Sequence, residues 1–203
     1  MLNLLQHYGT IIDEILDNED DHDALELVDY EENYQCANGV WLCSGATRCA
    51  IVDDDCDWIV KFDLDGNHED YCEREARIYK EAKNYGVQDM LVPCIDLGFW
   101  RGRWHLYAYK RVEDRFFGVG VFSDEESNIA NKYSSSPLGE KSKSVTIGLL
   151  RDWGSEMMER LNKLCINWCI NDLHGGNVGY LDNKLVIIDY AGYLEDDYSS
   201  EKE

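Results

Sequence analysis

Residues 170–179 read Ile-Asn-Asp-Leu-His-Gly-Gly-Asn-Val-Gly, and residues 184–190 read Lys-Leu-Val-Ile-Ile-Asp-Tyr. Two glycines let the chain bend sharply between Asp172 and Asn177. The second stretch is a β-rich apolar run that ends on Asp189, where a strand would present its carboxylate. Two carboxylates and an amide can hold a divalent cation through oxygen ligands and leave one carboxylate to orient a hydroxyl. The pattern predicts a phosphoryl-transfer site, which needs a nucleotide pocket elsewhere in the chain.

The same residues carry a family resemblance. The loop at 172–177, followed by Val-Ile-Ile-Asp-Tyr, resembles the catalytic loop and metal-binding aspartate of the protein-kinase-like superfamily. Asp172 and Asn177 keep the family's D-x-x-x-x-N spacing, and Asp-Tyr-Ala replaces Asp-Phe-Gly at Asp189. The D-x-H-x-G-N form is most similar to small bacteriophage kinases, such as the early protein kinase of T7-like phages. It is also similar to aminoglycoside phosphotransferases.

The resemblance implies catalytic and metal-binding roles for the loop residues. Asp172 would accept or orient the substrate hydroxyl, while Asn177 and Asp189 would hold Mg²⁺. His174 stands where most protein kinases have a lysine, and it would either donate to the γ-phosphate or brace the loop. Taken singly, Asp172 and Asn177 are also typical of a helix cap and an ordinary turn. The loop has Ile-Asn-Asp in place of His-Arg-Asp, which argues against control by activation-loop phosphorylation.

A lysine within an apolar strand is the next feature. Lys61 lies in Trp-Ile-Val-Lys-Phe, and the plain interpretation is an edge-strand lysine that faces solvent. The resemblance instead implies the lysine that binds the α- and β-phosphates of ATP, anchored by a glutamate from a helix. Glu75 fits the family pattern best, and Glu73 is the fallback.

The resemblance also places a nucleotide-binding turn and an interlobe hinge. The hinge would bind the adenine edge near Tyr109 and Arg111. The turn before Lys61 has one glycine instead of the family's G-x-G-x-x-G, so it is a weak signal. Its backbone N–H groups and its arginine would face phosphate. The predicted turn consists of Ser44, Gly45, Ala46, Thr47 and Arg48.

Apolar periodicity predicts an α+β fold. Helices are expected within residues 1–17, 69–85 and 146–167, and residues 123–144 read as a polar loop. Five antiparallel strands are expected at Val40–Cys43, Cys49–Val52, Trp58–Phe62, Leu91–Ile95 and Trp104–Tyr109. The resemblance implies a two-lobed protein-kinase-like fold, with a five-stranded sheet and one helix in the first lobe and a truncated, mainly helical second lobe. The expected divisions are a helical and acidic extension at 1–38, a first lobe at 39–112 and a second lobe at 113–203.

Charge and composition limit the partners. The 203 residues carry a formal charge of −22, which argues against nucleic-acid binding and favours basic partners. No apolar run reaches the length of about eighteen residues that a membrane helix needs. The N-terminus lacks the basic region of a signal peptide, so a cytoplasmic location is expected, in the host cell if the protein is phage-encoded.

The eight cysteines are scattered without a C-x-x-C pair and are expected to be reduced, mostly buried thiols. A zinc site built from Cys43, Cys49 and Cys56 is conceivable, but their spacings match no known ligand pattern.

Three functions therefore compete. The first is a minimal kinase that uses ATP and Mg²⁺ to phosphorylate Ser or Thr of a protein, including host proteins. The second is a small-molecule phosphotransferase of the aminoglycoside-kinase kind, for which the negative charge suits a cationic substrate. The third is a pseudokinase-like acidic protein that binds and inhibits a basic partner. The complete set of Lys61, Asp172, Asn177 and Asp189 favours an active site over a dead one.

Overall fold

The computed structural model describes residues 3–17, 34–37, 39–44, 48–63, 70–113, 116 and 118–192. The chain forms two compact units. The first comprises residues 1–76 and 94–111, and the second comprises residues 77–93 and 112–203. Helices and an antiparallel sheet are both present, so the predicted α+β class is confirmed.

The first unit is built on a six-stranded antiparallel sheet in the order β1-β2-β3-β4-β6-β5. The strands are β1 (Tyr34–Ala37), β2 (Val40–Ser44), β3 (Arg48–Asp53), β4 (Trp58–Asp63), β5 (Cys94–Trp100) and β6 (Trp104–Lys110). Five of them correspond to the predicted strands, and β1 is an additional strand that the sequence did not indicate. β1 has only four residues, too few to show an alternating pattern.

Strand β5 also differs from its prediction. It begins at Cys94 and continues to Trp100, whereas the sequence predicted a strand at Leu91–Ile95 followed by a turn. The register with β6 shifts between Asp96 and Gly98. Gly98 has a φ of +85°, a conformation that glycine adopts at little cost, so the glycine marks an irregularity within the strand and not its end.

Helix α1 (Leu4–Asp17) packs on one face of this sheet. Tyr8 and Ile12 are fully buried in a core shared with β3, β4 and β6. Gly9 allows helix α1 to lie close to Trp100, because a Cβ at this position would be 2.1 Å from the Trp100 ring. Trp100 Nε1 in turn donates to Asp13 Oδ1 at 3.1 Å. The predicted N-terminal helix is confirmed, and it is part of the first unit's core.

Two aspartates that precede helix α2 (Tyr71–Tyr85) accept hydrogen bonds from backbone N–H groups of its first turn. Both carboxylate oxygens of Asp63 lie within 3.3 Å of the Cys72 N–H, and Asp70 Oδ1 accepts the Glu73 N–H at 2.8 Å. Burial, together with a hydrogen bond to the Asp70 carboxyl, raises the pKa of Asp63 to about 7. The helix confirms the prediction for residues 69–85.

The second unit contains the other helices and a β-hairpin. Its elements are α3 (Asp124–Asn131), α4 (Pro137–Glu140), α5 (Lys143–Trp168), β7 (Val178–Leu181) and β8 (Lys184–Ile187), with 3₁₀ turns at Gln88–Met90 and Gly175–Asn177. Helix α5 confirms the helix predicted at 146–167. It is interrupted at Gly154, which has a φ of +76°.

The polar loop predicted at 123–144 was wrong, because this stretch contains α3 and α4. Ser123 accepts the Glu126 N–H, and the Glu126 carboxylate accepts the Ser123 N–H at 2.7 Å, which is a capping box. Helix α3 buries little apolar surface, so it lacks the periodicity on which the prediction relied.

No helix in the described part of the chain is both long enough and apolar enough to cross a membrane. Seven of the cysteines are not in disulfides: Cys43, Cys49, Cys56, Cys72, Cys94, Cys165 and Cys169. Burial raises the pKa of Cys49, Cys94 and Cys165 to about 12, so these thiols are protonated at neutral pH.

Candidate functional site

The loop before β7 is closed by Asn177. Its side-chain Nδ2 donates to the main-chain oxygen of Asp172 at 2.7 Å and to Asp172 Oδ2 at 3.3 Å. Its backbone N–H donates to the His174 oxygen at 3.0 Å. Three hydrogen bonds within six residues therefore hold the loop, and one of them contacts the Asp172 carboxylate.

The hairpin brings Asp189 to the same end as Asn177. Val178 pairs with Ile187 at the open end of β7 and β8, and the Ile188 N–H donates to the Asn177 oxygen at 2.9 Å. Asp189 follows at once and is half-buried. The backbone of Asp189 therefore follows directly on Ile188, the residue that is hydrogen-bonded to Asn177.

Asn177 and Asp189 suit a hard cation. Because Nδ2 of Asn177 is turned toward Asp172, the amide oxygen is the end left for a ligand role. One amide oxygen and one carboxylate make a small oxygen donor set of the kind Mg²⁺ uses when phosphates and water complete its shell. Across the described ranges, no group of three or more His, Cys, Asp or Glu side chains could hold a metal, and this includes Cys43, Cys49 and Cys56.

Two basic side chains approach Asp172. Lys141 Nζ lies 3.7 Å from Oδ1, and His174 Nε2 lies 3.7 Å from Oδ2. His174 Nδ1 accepts the Gly176 N–H at 3.0 Å. Lys141 was not among the predicted residues, because its segment was read as a loop and nothing in the local sequence pairs it with Asp172.

In the first unit, Glu75 is the centre of a buried ion-pair cluster. Its Oε2 lies 2.7 Å from Arg48 Nη1 and 4.0 Å from Lys61 Nζ. Lys61 Nζ also lies 4.4 Å from the centre of the Tyr109 ring. Glu75 is fully buried whereas Glu73 is exposed, so the geometry joins Lys61 to Glu75, the glutamate preferred from the sequence.

Sheet register explains how the two cations meet. β3 and β4 are antiparallel, with Ala50 opposite Lys61 and Arg48 opposite Asp63. Side chains alternate along a strand, so Arg48 and Ala50 lie on the face that carries Lys61. Arg48 was predicted to face phosphate, but here its guanidinium lies against the carboxylate that Lys61 also approaches.

Other residues that were predicted to bind the nucleotide do not join the cluster around Glu75. Gly45, Ala46 and Thr47 lie outside the described residues, and the backbone of Ser44 pairs with Cys49. The Arg111 N–H donates to the Asp57 oxygen at 2.8 Å, and Arg111 Nη2 lies 3.2 Å from Asp54 Oδ1. Arg111 therefore uses both its backbone N–H and its side chain on the β3–β4 turn.

No model of a known protein family matches this chain, and no curated protein sequence matches it.

Proposed function

We propose that this protein is a minimal kinase that transfers the γ-phosphoryl group of ATP, with Mg²⁺, to Ser or Thr hydroxyls of a protein. The observation that carries the proposal is the Asp172–Asn177 loop. Its amide donates to both the backbone and the carboxylate of Asp172, and the backbone of Asp189 follows the residue that is hydrogen-bonded to Asn177. A fixed carboxylate next to an oxygen donor set for a divalent cation is the arrangement that phosphoryl transfer requires.

Each residue would have a distinct task. Asp172 Oδ1 would accept the hydrogen bond of the acceptor hydroxyl and later its proton. Asn177 and Asp189 would hold the Mg²⁺, which neutralises charge on the phosphates when it is bound. Lys61, paired with Glu75, would bind the α- and β-phosphates. The proposed protein substrate is basic, because the chain has a formal charge of −22.

The test is phosphoryl transfer from ATP labelled at the γ-phosphate, with Mg²⁺, to the protein itself, to a lysine-rich histone and to a cell lysate. The Asp189→Asn variant replaces a proposed carboxylate ligand of the metal with a neutral amide, with little change in shape. Asp182→Asn is the matched control, because Asp182 is exposed at the turn end of the same hairpin. We expect wild-type labelling of protein, unchanged labelling with Asp182→Asn, and a loss of about 10²-fold or more with Asp189→Asn.

Two other outcomes would favour the alternative functions. Label that appears only in small molecules would favour the phosphotransferase alternative. A folded wild-type protein that labels nothing and shows no Mg²⁺-dependent ATP binding would contradict both enzyme functions and favour the acidic binding protein.

A further inference from the structure

The proposed reaction concentrates negative charge next to Asp172. The acceptor oxygen forms a bond to the γ-phosphorus while the bond to the bridging oxygen breaks, the hydroxyl proton passes to Asp172, and ADP leaves with the electron pair. The phosphoryl group and the Asp172 carboxylate are both anionic, so their approach is unfavourable unless a cation lies between them. The question is which side chain supplies that charge.

His174 is placed to brace the loop. A ring nitrogen that accepts a hydrogen bond carries no proton, and Nδ1 accepts the Gly176 N–H at 3.0 Å. The other ring nitrogen, Nε2, faces Asp172 Oδ2 at 3.7 Å. A Cβ at Gly176 would lie 2.9 Å from the His174 ring, so the ring sits tightly against the loop backbone. This arrangement makes the imidazole a support and not a fixed positive charge.

Lys141 approaches the other oxygen of Asp172. Its Nζ lies 3.7 Å from Oδ1, whereas Asn177 and His174 both approach Oδ2. A hydroxyl held by Oδ1 would therefore lie within reach of the Lys141 ammonium. A lysine ammonium has three donors on a flexible stem, which suits a phosphoryl group whose oxygens move during transfer.

The backbone around Lys141 is held by a buried hydroxyl. Thr146 is fully buried, and its Oγ1 lies 2.9 Å from the Leu138 oxygen and 3.1 Å from the Ser142 oxygen. Ser142 also caps α5 by accepting the Val145 N–H. Lys141 lies between these two anchored carbonyls, so its Cα is positioned even though its side chain is exposed.

From these contacts we infer that Lys141 is a catalytic residue, which donates to the transferring γ-phosphoryl group beside Asp172. This inference rests on the proposed kinase function and adds to it. The lysine comes from the connection between α4 and α5, about thirty residues before the loop, and this distance along the chain explains why the loop motif alone did not reveal it.

The test compares Lys141→Ala, Lys141→Arg and Lys143→Ala with ATP and the lysine-rich histone as substrates. Lys143 is the matched control, because it is also exposed, lies two residues away and packs on Phe122 with its Nζ 5.3 Å from the ring centre. We expect Lys141→Ala to lower kcat about 10²–10³-fold, with KM for ATP changed only a few-fold. Lys141→Arg should recover part of kcat, and Lys143→Ala should stay within about two-fold of wild type.

The outcomes separate this inference from the proposed function. An active wild type with an unchanged Lys141→Ala would overturn the inference alone. Equal losses in Lys141→Ala and Lys143→Ala, or a loss that follows thermal unfolding and is not recovered by arginine, would assign Lys141 a structural role and also overturn it. A wild type without phosphoryl transfer would overturn the proposed function and the inference together.

Discussion

Each unit holds one carboxylate between two basic side chains, and the two clusters differ in burial. Glu75 in the first unit is 0% exposed, and Arg48 and Lys61 are 11% and 15% exposed. Asp172 in the second unit is 17% exposed, and Lys141 and His174 are 42% and 49% exposed. The closest basic nitrogen lies 2.7 Å from the Glu75 carboxylate and 3.7 Å from the Asp172 carboxylate.

The difference in burial determines what each cluster contributes. A buried carboxylate has lost its hydration, so it depends on its cations and they depend on it. A carboxylate that still contacts water gains little from an ion pair at 3.7 Å and can exchange that partner for a substrate. We therefore expect substitutions at Glu75 to act mainly on folding and substitutions at Asp172 to act mainly on chemistry.

The largest effect on stability should come from Glu75→Ala. This change leaves Arg48 and Lys61 largely buried without the carboxylate that they share, so the free energy of unfolding should fall by about 3–5 kcal/mol. Urea unfolding followed by circular dichroism measures the loss, and hydrogen exchange of the β3 and β4 amides assigns it to the first unit. Glu73→Ala, on the exposed side of the same helix, should cost at most about 1 kcal/mol. Equal losses of unfolding free energy in Glu75→Ala and Glu73→Ala would contradict a special role of the buried glutamate in folding.

The next prediction ranks the two cations of Glu75. Arg48→Met removes the contact at 2.7 Å and should lower the free energy of unfolding by about 1.5–3 kcal/mol. Lys61→Met removes a contact at 4.0 Å and the position over the Tyr109 ring, and should cost about 0.5–1 kcal/mol. Under the proposed function, Lys61→Met should lower the affinity for ATP more than Arg48→Met does. If Lys61→Met were the more destabilising variant, Lys61 and not Arg48 would be the structural partner of Glu75.

Local sequence patterns predicted the helices and strands with strong periodicity. Helices α1, α2 and α5 and strands β2, β3, β4 and β6 appear where apolar spacing placed them, with small shifts at their ends. Helix α3 was missed because its signal is the capping box at Ser123 and Glu126, not an apolar stripe. Strand β1 was missed because four residues carry too little pattern.

The site was only partly predictable for a similar reason. Asp172 and Asn177 are five residues apart, so the loop motif shows their relation directly. The pairs Arg48–Glu75 and Lys141–Asp172 join residues about thirty apart, and each depends on where the chain places a different segment. Only sheet register and helix anchoring reveal such contacts, and a sequence motif contains neither.

A half-buried carboxyl beside a second carboxyl sharpens the comparison through pH. The pKa of Asp63 is raised from 3.8 to about 7, mainly by burial and then by the Asp70 carboxyl. The folded state therefore binds the proton more tightly than the unfolded state, so this contribution to stability is complete below about pH 4 and is lost as the pH rises through 7. Asp63→Asn keeps an oxygen for the Cys72 N–H and cannot ionise. A shift of about three pKa units corresponds to about 4 kcal/mol. Because Asp63 is only half-buried and solvent screens its charge, we expect Asp63→Asn to gain about 1–2 kcal/mol of stability relative to wild type between pH 4 and pH 8.

Unfolding of both proteins in urea across that pH range measures the difference. Asp57→Asn is the control, because Asp57 is exposed and pairs with Lys110 at 3.1 Å on the same sheet. Its difference from wild type should change little with pH in this range. A flat difference for Asp63→Asn would mean that Asp63 remains ionised in the folded state.

The smallest effect on stability should come from Asp172→Asn, although this residue is central to the proposed chemistry. The amide keeps an oxygen that can accept from Asn177, and the Lys141 ammonium and the His174 ring remain hydrated, so no charge is left buried and unpaired. The free energy of unfolding should therefore change by less than about 1 kcal/mol, while phosphoryl transfer falls by about 10²–10⁴-fold. Urea unfolding and the labelled-ATP assay on the same preparation measure both quantities. A loss of stability as large as that of Glu75→Ala would show that Asp172 contributes to folding as much as a buried carboxylate does. It would contradict the view that Glu75 acts mainly on folding and Asp172 mainly on chemistry.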